Sequence, residues 1–252
     1  MKKYAVIISV LGACSDRYCS QYAPNVTLDE MFDKAASVDG ITGVELIGGH
    51  HVSKAKLKDV KNQLERTGLQ LVSVIPDIFS QMEYAKGGLA SKDKNIRSKS
   101  ISHIKEMMDC TAELGGEIVS VCALQDGYDY VFQGDYIQER EWIEQGLKEC
   151  CQYNKKVKIA LEYKVKEPRV HNYINSAAQA MLMIKEVNED NLGVTVDFGH
   201  SINAYENAAD AVSVLQKYGN RLFHVHINDN YRLWDDDMIF GMVHIPEIIE
   251  FM

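Results

Sequence analysis

Apolar residues along the chain fall into short runs rich in Val, Ile and Leu, separated by longer amphipathic stretches. Short β-branched runs predict strands, and amphipathic stretches predict helices. The predicted strands are 4–10, 42–47, 70–76, 117–123, 157–163, 192–198 and 221–228. The predicted helices are 27–39, 53–67, 96–115, 136–154, 174–188 and 206–219, followed by one that opens near His244. Because the apolar runs are nearly continuous, we expect a parallel sheet that is covered on both faces.

This strand–helix alternation continues through all 252 residues without a Pro-, Gly- or Ser-rich linker, which predicts one α/β domain over residues 1–252. An open doubly wound sheet and a (β/α)8 barrel both fit. A nucleotide-binding open sheet is disfavoured because neither a Gly-x-Gly-x-x-Gly motif after the first strand nor a Walker loop occurs. Polar residues at the carboxyl ends of the strands favour the barrel. Since only seven strands are found before Met252, we predict an incomplete TIM-type barrel whose eighth strand is missing.

Composition narrows the classes of partner. The net charge of −9 disfavours nucleic acid, which needs a basic face. The six cysteines show no Cys-x-x-Cys spacing, so we expect reduced thiols in a cytoplasmic protein rather than disulfides or a zinc finger. No apolar run is long enough for a membrane span, so we expect no membrane partner.

The amino terminus allows two interpretations. Met1-Lys2-Lys3 and the apolar run that ends at Cys14 imitate a secretory or lipoprotein signal. The alternative is that the run from Tyr4 to Val10 is the first buried strand. We favour the strand because no Ser/Gly-rich tether follows Cys14.

Candidate metal ligands stand at the ends of three consecutive strands. Strand five ends with Glu162, strand six with Asp197, and strand seven contains His226. Because the carboxyl ends of parallel strands meet at one edge of a sheet, these oxygen and nitrogen donors predict a site for Mn²⁺, Mg²⁺, Co²⁺ or Zn²⁺. A single acidic residue at such a position more often caps the next helix, whereas three in series favour the metal.

An acidic segment follows strand seven, Asp235-Asp236-Asp237. A charge run of this kind is usually a solvated turn. Its proximity to His226 supports a loop that brings Asp235 and Asp237 to a second cation.

The segments LEYKVKEPR, VTVDFGHS and HVHINDNY, in this order, resemble the xylose-isomerase-like superfamily of barrels, and within it most closely the L-rhamnose-isomerase-type sugar isomerases. The resemblance implies a structural metal held by Glu162, Asp197 and His226. It implies a second metal held by His200, Asp235 and Asp237. The family's fourth ligand of the structural metal lies on strand eight, for which this sequence has no match.

The resemblance also implies substrate contacts. Lys164 matches a lysine that contacts the substrate oxygens, and Arg232 matches, more loosely, a substrate-binding arginine of ketose 3-epimerases. We predict that Lys164 and Glu162 are catalytic and that Lys164, Arg232 and His50 bind substrate. The pair His50-His51 follows the second strand and equally fits a surface loop. The remaining histidines without companion ligands are interpreted as surface or packing residues: His103, His171 and His244.

The expected function is therefore metal-dependent aldose–ketose isomerisation of a sugar or sugar phosphate, with a homo-oligomer as a possible assembly. Three alternatives stay open at this point. They are a ketose epimerase on the same scaffold, a truncated barrel that binds sugar or metal without turnover, and an endonuclease-IV-like DNA repair enzyme. The net charge disfavours the last of these.

Overall fold

A computed structural model describes residues 3–13, 19–167 and 169–252. Cys14, the end of the signal-like segment, lies outside this part of the chain. The helices are α1 Leu28–Ser37, α2 Leu57–Thr67, α3 Lys94–Glu113, α4 Tyr136–Tyr153, α5 Ala177–Val187, α6 Phe198–Asn203, α7 Ala208–Lys217 and α8 Ile245–Phe251. The strands are β1 Tyr4–Ile7, β2 Ile41–Gly48, β3 Gln70–Pro76, β4 Ile118–Cys122, β5 Gly127–Tyr128, β6 Lys158–Glu162, β7 Lys166–Glu167, β8 Val170–Asn172, β9 Leu192–Asp197 and β10 Leu222–His226.

All seven predicted strands are confirmed as β1, β2, β3, β4, β6, β9 and β10. The first of them is shorter than predicted, because the chain leaves the strand after Ile7 and residues Ile8–Leu11 form a 3₁₀ turn. Ile8 is fully buried in that turn. A short apolar run does not distinguish a strand from another buried conformation, which explains the error.

The chain folds as two compact units, and β4 begins in the first and ends in the second. The first unit comprises Met1–Asp77 and Glu106–Val119. Its strands β1, β2 and β3 pair in parallel, and the start of β4 pairs with β3. α1 and α2 contribute buried apolar side chains to its core, among them Phe32 and Val60. α1 begins at a capping box, in which Thr27 and Glu30 each accept the other's backbone N–H.

The second unit comprises Ile78–Lys105 and Ser120–Met252. Here the parallel order is β4, β6, β9 and β10. The register pairs Glu162 with Thr195, and His226 with Asp197. Since these residues lie at the carboxyl ends of their strands, the register brings the predicted ligands to one edge of the sheet.

Two elements of the second unit were missed by the sequence pattern. Strands β5, β8 and β7 form a small antiparallel sheet of two- and three-residue strands. Helix α6 follows β9 directly, with Asp197 as its N-cap. Elements this short carry too few residues to show a period. Among the described residues, no helix combines the length and the apolar character that a membrane crossing requires.

Candidate active site

Four of the predicted ligands form a compact group, named here the strand-end cluster: Glu162, Asp197, His200 and His226. The Nδ1 atom of His226 lies 3.2 Å from Glu162 Oε1 and 3.8 Å from Asp197 Oδ2. The Nδ1 atom of His200 lies 3.4 Å from the same Glu162 oxygen. Glu162, Asp197 and His200 each offer one ligand atom, and these atoms lie within 4.8 Å of one another. All four side chains are buried.

The short helix α6 explains how His200 enters this group. Asp197 ends β9 and accepts the backbone N–H of His200 at 2.9 Å, so it caps α6. Asp197 therefore caps a helix, which was the alternative to a role as metal ligand. The same carboxylate also lies in the strand-end cluster. The imidazole of His200 is oriented by its Nδ1–H, which donates to the carbonyl oxygen of Tyr163 at 3.0 Å.

Lys164 and Asp235 extend the cluster. The ammonium group of Lys164 is buried and lies 2.7 Å from Asp235 Oδ2. His200 Nε2 lies 3.2 Å from the same oxygen. The other oxygen of Asp235, Oδ1, is also buried and has no hydrogen-bond partner among the residues that the structure describes.

The electrostatics of the metal-free protein follow from this crowding. Burial opposes protonation of His200, but the charge of Asp197 and the hydrogen bond to Asp235 raise the pKa of His200 to about 9. Burial also opposes ionisation of Asp235, yet its contacts with His200 and Lys164 hold its pKa well below the usual range. Burial raises the pKa of Asp197. The charge of His200 lowers this pKa, and the charge of Glu162 raises it further. Protonated His200 and Lys164 thus offset part of the negative charge of the carboxylates.

Asn228 links Asp237 to the strand-end cluster, and the sequence motifs did not mark Asn228 as a functional residue. Its Nδ2 group donates to Asp197 Oδ2 at 3.0 Å and to Asp237 Oδ1 at 3.1 Å. Burial, and then the charges of Asp235 and Asp197, raise the pKa of Asp237 to about 7. The available signal for Asn228 was its position two residues after His226 in the segment HVHIND.

Two predicted substrate-binding residues have other partners. Arg232 donates to Glu247 of α8 at 3.1 Å and stands in a left-handed backbone conformation with φ of 67°. His50 belongs to the first unit, where its Nε2 lies 2.7 Å from Asp77 Oδ2 and half of its side chain is exposed. Substrate binding by both residues stays a prediction.

The donor set fits a divalent cation. Carboxylate oxygens and imidazole nitrogens are ligands of Mn²⁺, Mg²⁺, Co²⁺ and Zn²⁺. A buried carboxylate oxygen without a donor is costly, and the Oδ1 atom of Asp235 is such an oxygen. A cation beside it would remove that cost.

Known proteins resemble the chain in sequence and in fold. The xylose isomerase of Thermus thermophilus is 28% identical over 187 residues, which cover 72% of this chain and 48% of that protein. The xylose isomerase of a Ruegeria species is 27% identical over 181 residues, covering 69% and 41%. The chain thus spans about half the length of the xylose isomerases that it matches.

Among solved structures, a D-tagatose 3-epimerase-like protein superposes with a TM-score of 0.76 at 21% identity, over 98% of this chain and 85% of that one. The D-allulose 3-epimerase from Methylomonas sp., in complex with D-allulose, superposes with a TM-score of 0.72 at 18% identity, over 99% and 78%. The closer likeness to L-rhamnose-isomerase-type enzymes stays a prediction. Residues 32–251 match the family described as "Xylose isomerase-like TIM barrel". The predicted superfamily and fold class are thereby confirmed, and the chain belongs to the xylose isomerase-like TIM barrel family.

Proposed function

We propose that this protein is a divalent-metal-dependent sugar isomerase that interconverts an aldose and a ketose at the ends of β6, β9 and β10. One observation carries the proposal. Glu162, Asp197 and His226 are buried at neighbouring strand ends, and His226 Nδ1 lies 3.2 Å from Glu162 Oε1 and 3.8 Å from Asp197 Oδ2. The family supports a sugar substrate, which in the proposal is a free or phosphorylated sugar.

In the proposal, Glu162, Asp197 and His226 hold one cation, and His200, Asp235 and Asp237 complete a second position. When bound, a divalent cation would polarise the sugar carbonyl and stabilise negative charge on neighbouring oxygens. The protein's own contribution is to hold Glu162, Asp197 and His226 in a buried position in the second unit, where water competes less for the substrate.

Lys164 supplies a fixed positive charge in the proposed site. Its ammonium group is buried, and its contact with Asp235 at 2.7 Å limits where it can point. A positioned ammonium donates hydrogen bonds to a substrate oxygen and stabilises the charge that develops there. Because the site is buried, this interaction is stronger than it would be in water.

A ketose epimerase is the second candidate, and one observation favours it. Both cluster imidazoles approach the same oxygen, Glu162 Oε1, at 3.2 Å and 3.4 Å, so the cluster is one group around Glu162. In this alternative Glu162 removes a proton from the carbon beside the carbonyl, and a second acid returns a proton to the other face of the enediolate. Lys164 keeps the same role.

The test begins with metal binding. We expect Glu162→Gln to weaken Mn²⁺ affinity by more than about 100-fold in calorimetry, because the side chain keeps its shape and loses its charge. Glu139→Gln is the matched control, since Glu139 is equally buried in α4 and its carboxylate instead accepts the hydroxyl of Tyr173 at 2.7 Å. Equal Mn²⁺ affinity in Glu162→Gln and Glu139→Gln would reject the metal site.

Turnover then distinguishes the candidate functions. The Mn²⁺-loaded protein is incubated with free and phosphorylated aldoses and ketoses, and the products are separated by chromatography. Aldose–ketose conversion supports the isomerase, and a ketose with one inverted carbon supports the epimerase. Tight Mn²⁺ binding without any product supports a non-catalytic barrel, and cleavage of duplex DNA at an abasic site supports the repair enzyme.

A further inference from the structure

Asn228 lies just beyond the end of β10, two residues after His226, and is half-buried. Its Nδ2 group donates to Asp197 Oδ2 at 3.0 Å and to Asp237 Oδ1 at 3.1 Å. One amide group thus uses both of its N–H bonds on two different carboxylates. It connects the end of β9 to the acidic segment after β10.

The orientation of this amide is set by its surroundings. Its oxygen, Oδ1, is buried and has no hydrogen-bond partner in the described part of the chain. It lies beside Gly199, where an added Cβ would come within 2.1 Å of it. A flipped amide would place its oxygen against the two carboxylates and its N–H groups against Gly199. The donors of Asn228 therefore face Asp197 and Asp237.

Asn228 has the right chemistry for joining two acids. Two carboxylates that converge repel each other unless a donor lies between them. A lysine would introduce a cation that competes with a metal ion, and an aspartate would add a third negative charge. A neutral amide supplies two donors without changing the charge of the cluster.

We propose that Asn228 is a positioning residue that holds Asp237 against Asp197 and so completes the second cation position. This inference rests on the proposed function, because it assigns a role in the same metal centre. Asn228 acts through the two carboxylates and does not touch the substrate in this scheme. Gly199 acts with it by leaving space for the amide.

The first test uses the metal-free protein and measures the contact itself. Unfolding by urea is compared for the parent, Asn228→Leu, Asp237→Ala and the double variant. We expect a coupling of about fivefold in the unfolding equilibrium constant, the usual net value of one hydrogen bond. Asn203→Leu is the control, because Asn203 also binds this segment, through the carbonyl of Trp234 at 3.1 Å, without touching a carboxylate. Additive effects of Asn228→Leu and Asp237→Ala would overturn the proposal.

The second test measures Mn²⁺ binding by calorimetry. We expect the parent to bind two equivalents of Mn²⁺. Asn228→Leu should weaken the second by at least about fivefold and should weaken the first, which Asp197 shares with Glu162 and His226, by less. Asn203→Leu should bind both equivalents as the parent does. Asn228→Asp has the same shape but lacks the donors. Without metal, this variant should be less stable than the parent. When Mn²⁺ is added, its thermal stability should rise by more than that of the parent.

Gly199→Ala provides a variant in which Asn228 is still present. Its Cβ would displace the amide, so we expect the same loss of second-site affinity as in Asn228→Leu, and no further loss when both changes are combined.

Parent-like binding of both equivalents in Asn228→Leu overturns the proposal, as does a parent that binds only one equivalent. A parent that binds no Mn²⁺ but keeps the coupling rejects the proposed function, and it leaves Asn228 as a structural residue only.

Discussion

Two buried carboxylate–histidine pairs in the second unit differ in how many hydrogen-bond donors they receive. Asp229 is fully buried and accepts the Nδ1–H of His244 at 2.7 Å. It also accepts the backbone N–H groups of Asn230, Val243 and His244. Asp235 receives His200 and Lys164 on one oxygen only, and its other oxygen has no partner in the described residues.

The comparison shows that the supply of donors separates a structural carboxylate from a candidate ligand. Burial opposes ionisation of Asp229, but the hydrogen bonds from His244 and the backbone outweigh it and lower the pKa of Asp229. This pair fixes the path of the chain into α8. At Asp235 the donors reach only one carboxylate oxygen, which is the condition that a cation relieves.

The largest expected effect separates these two pairs directly. Asp229→Asn places an amide NH₂ against two of the four N–H donors, and we expect it to lower the free energy of unfolding by about 3 kcal/mol. Asp235→Asn should cost only about 1 kcal/mol, because the amide oxygen still accepts from Lys164. Urea unfolding of both metal-free variants measures the difference, and equal losses would contradict the distinction.

A third buried carboxylate sharpens the comparison through its pH dependence. Asp126 accepts the backbone N–H groups of Gly88, Leu89 and Ala90, yet burial raises its pKa to about 6 from 3.8. Because the folded state favours the protonated form, its contribution to stability is complete below pH 4 and is lost as the pH rises through 6. The expected loss is about 3 kcal/mol. The stability of Asp126→Asn should not fall in this way as the pH rises. Parallel pH profiles of unfolding for Asp126→Asn and the parent would refute the prediction.

The first unit provides the opposite pH dependence. His51 Nδ1 accepts the backbone N–H of Ile47 at 3.1 Å, and burial, followed by the charges of His50 and Lys56, lowers the pKa of His51 to about 4. Stability from the neutral imidazole is complete above pH 6.5 and is lost as the pH falls through 4. Since the ring is partly exposed, we expect a loss of roughly 1–2 kcal/mol. His51→Asn keeps an acceptor without titrating, so its stability should vary less between pH 7 and pH 4, and an unchanged slope would argue against this assignment.

The smallest expected effect on stability concerns Arg232. Its ion pair with Glu247 is half-exposed, so Arg232→Gln should change the free energy of unfolding by less than about 1 kcal/mol. If Arg232 binds substrate as the sequence predicts, the same variant raises KM for the sugar. Glu247→Gln breaks the same ion pair and keeps the guanidinium, so it should leave KM unchanged. A KM shift of equal size in both variants would assign Arg232 to structure alone.

The sequence predicted the strands better than the short elements. Runs such as 70–76 and 192–198 are apolar over most of their length, and a parallel sheet buried on both faces requires this pattern. Capping chemistry is also local, and the capping box of Thr27 and Glu30 lies at the start of the predicted helix 27–39. Helix α6 and the small antiparallel sheet were missed, because six-residue and two-residue elements show no period.

The candidate ligands could be placed at the strand ends from the sequence, because each of them directly follows an apolar run. The side chains that contact these ligands could not be predicted from the sequence. Lys164 meets Asp235 across 71 positions of the chain, and Asn228 meets Asp197 across 31. His244 was interpreted as a surface or packing residue, and the structure buries it against Asp229.

By itself, the sequence determined the seven long apolar strands and the longer helices, the strand-end position of Glu162, Asp197 and His226, and the family resemblance. These depend on local pattern, in which each residue acts through its neighbours along the chain. Only the tertiary structure decided which carboxylates receive donors and which do not. That outcome depends on the paths of loops that bring distant residues together, and a buried carboxylate is stable only where those paths end at a donor or a cation.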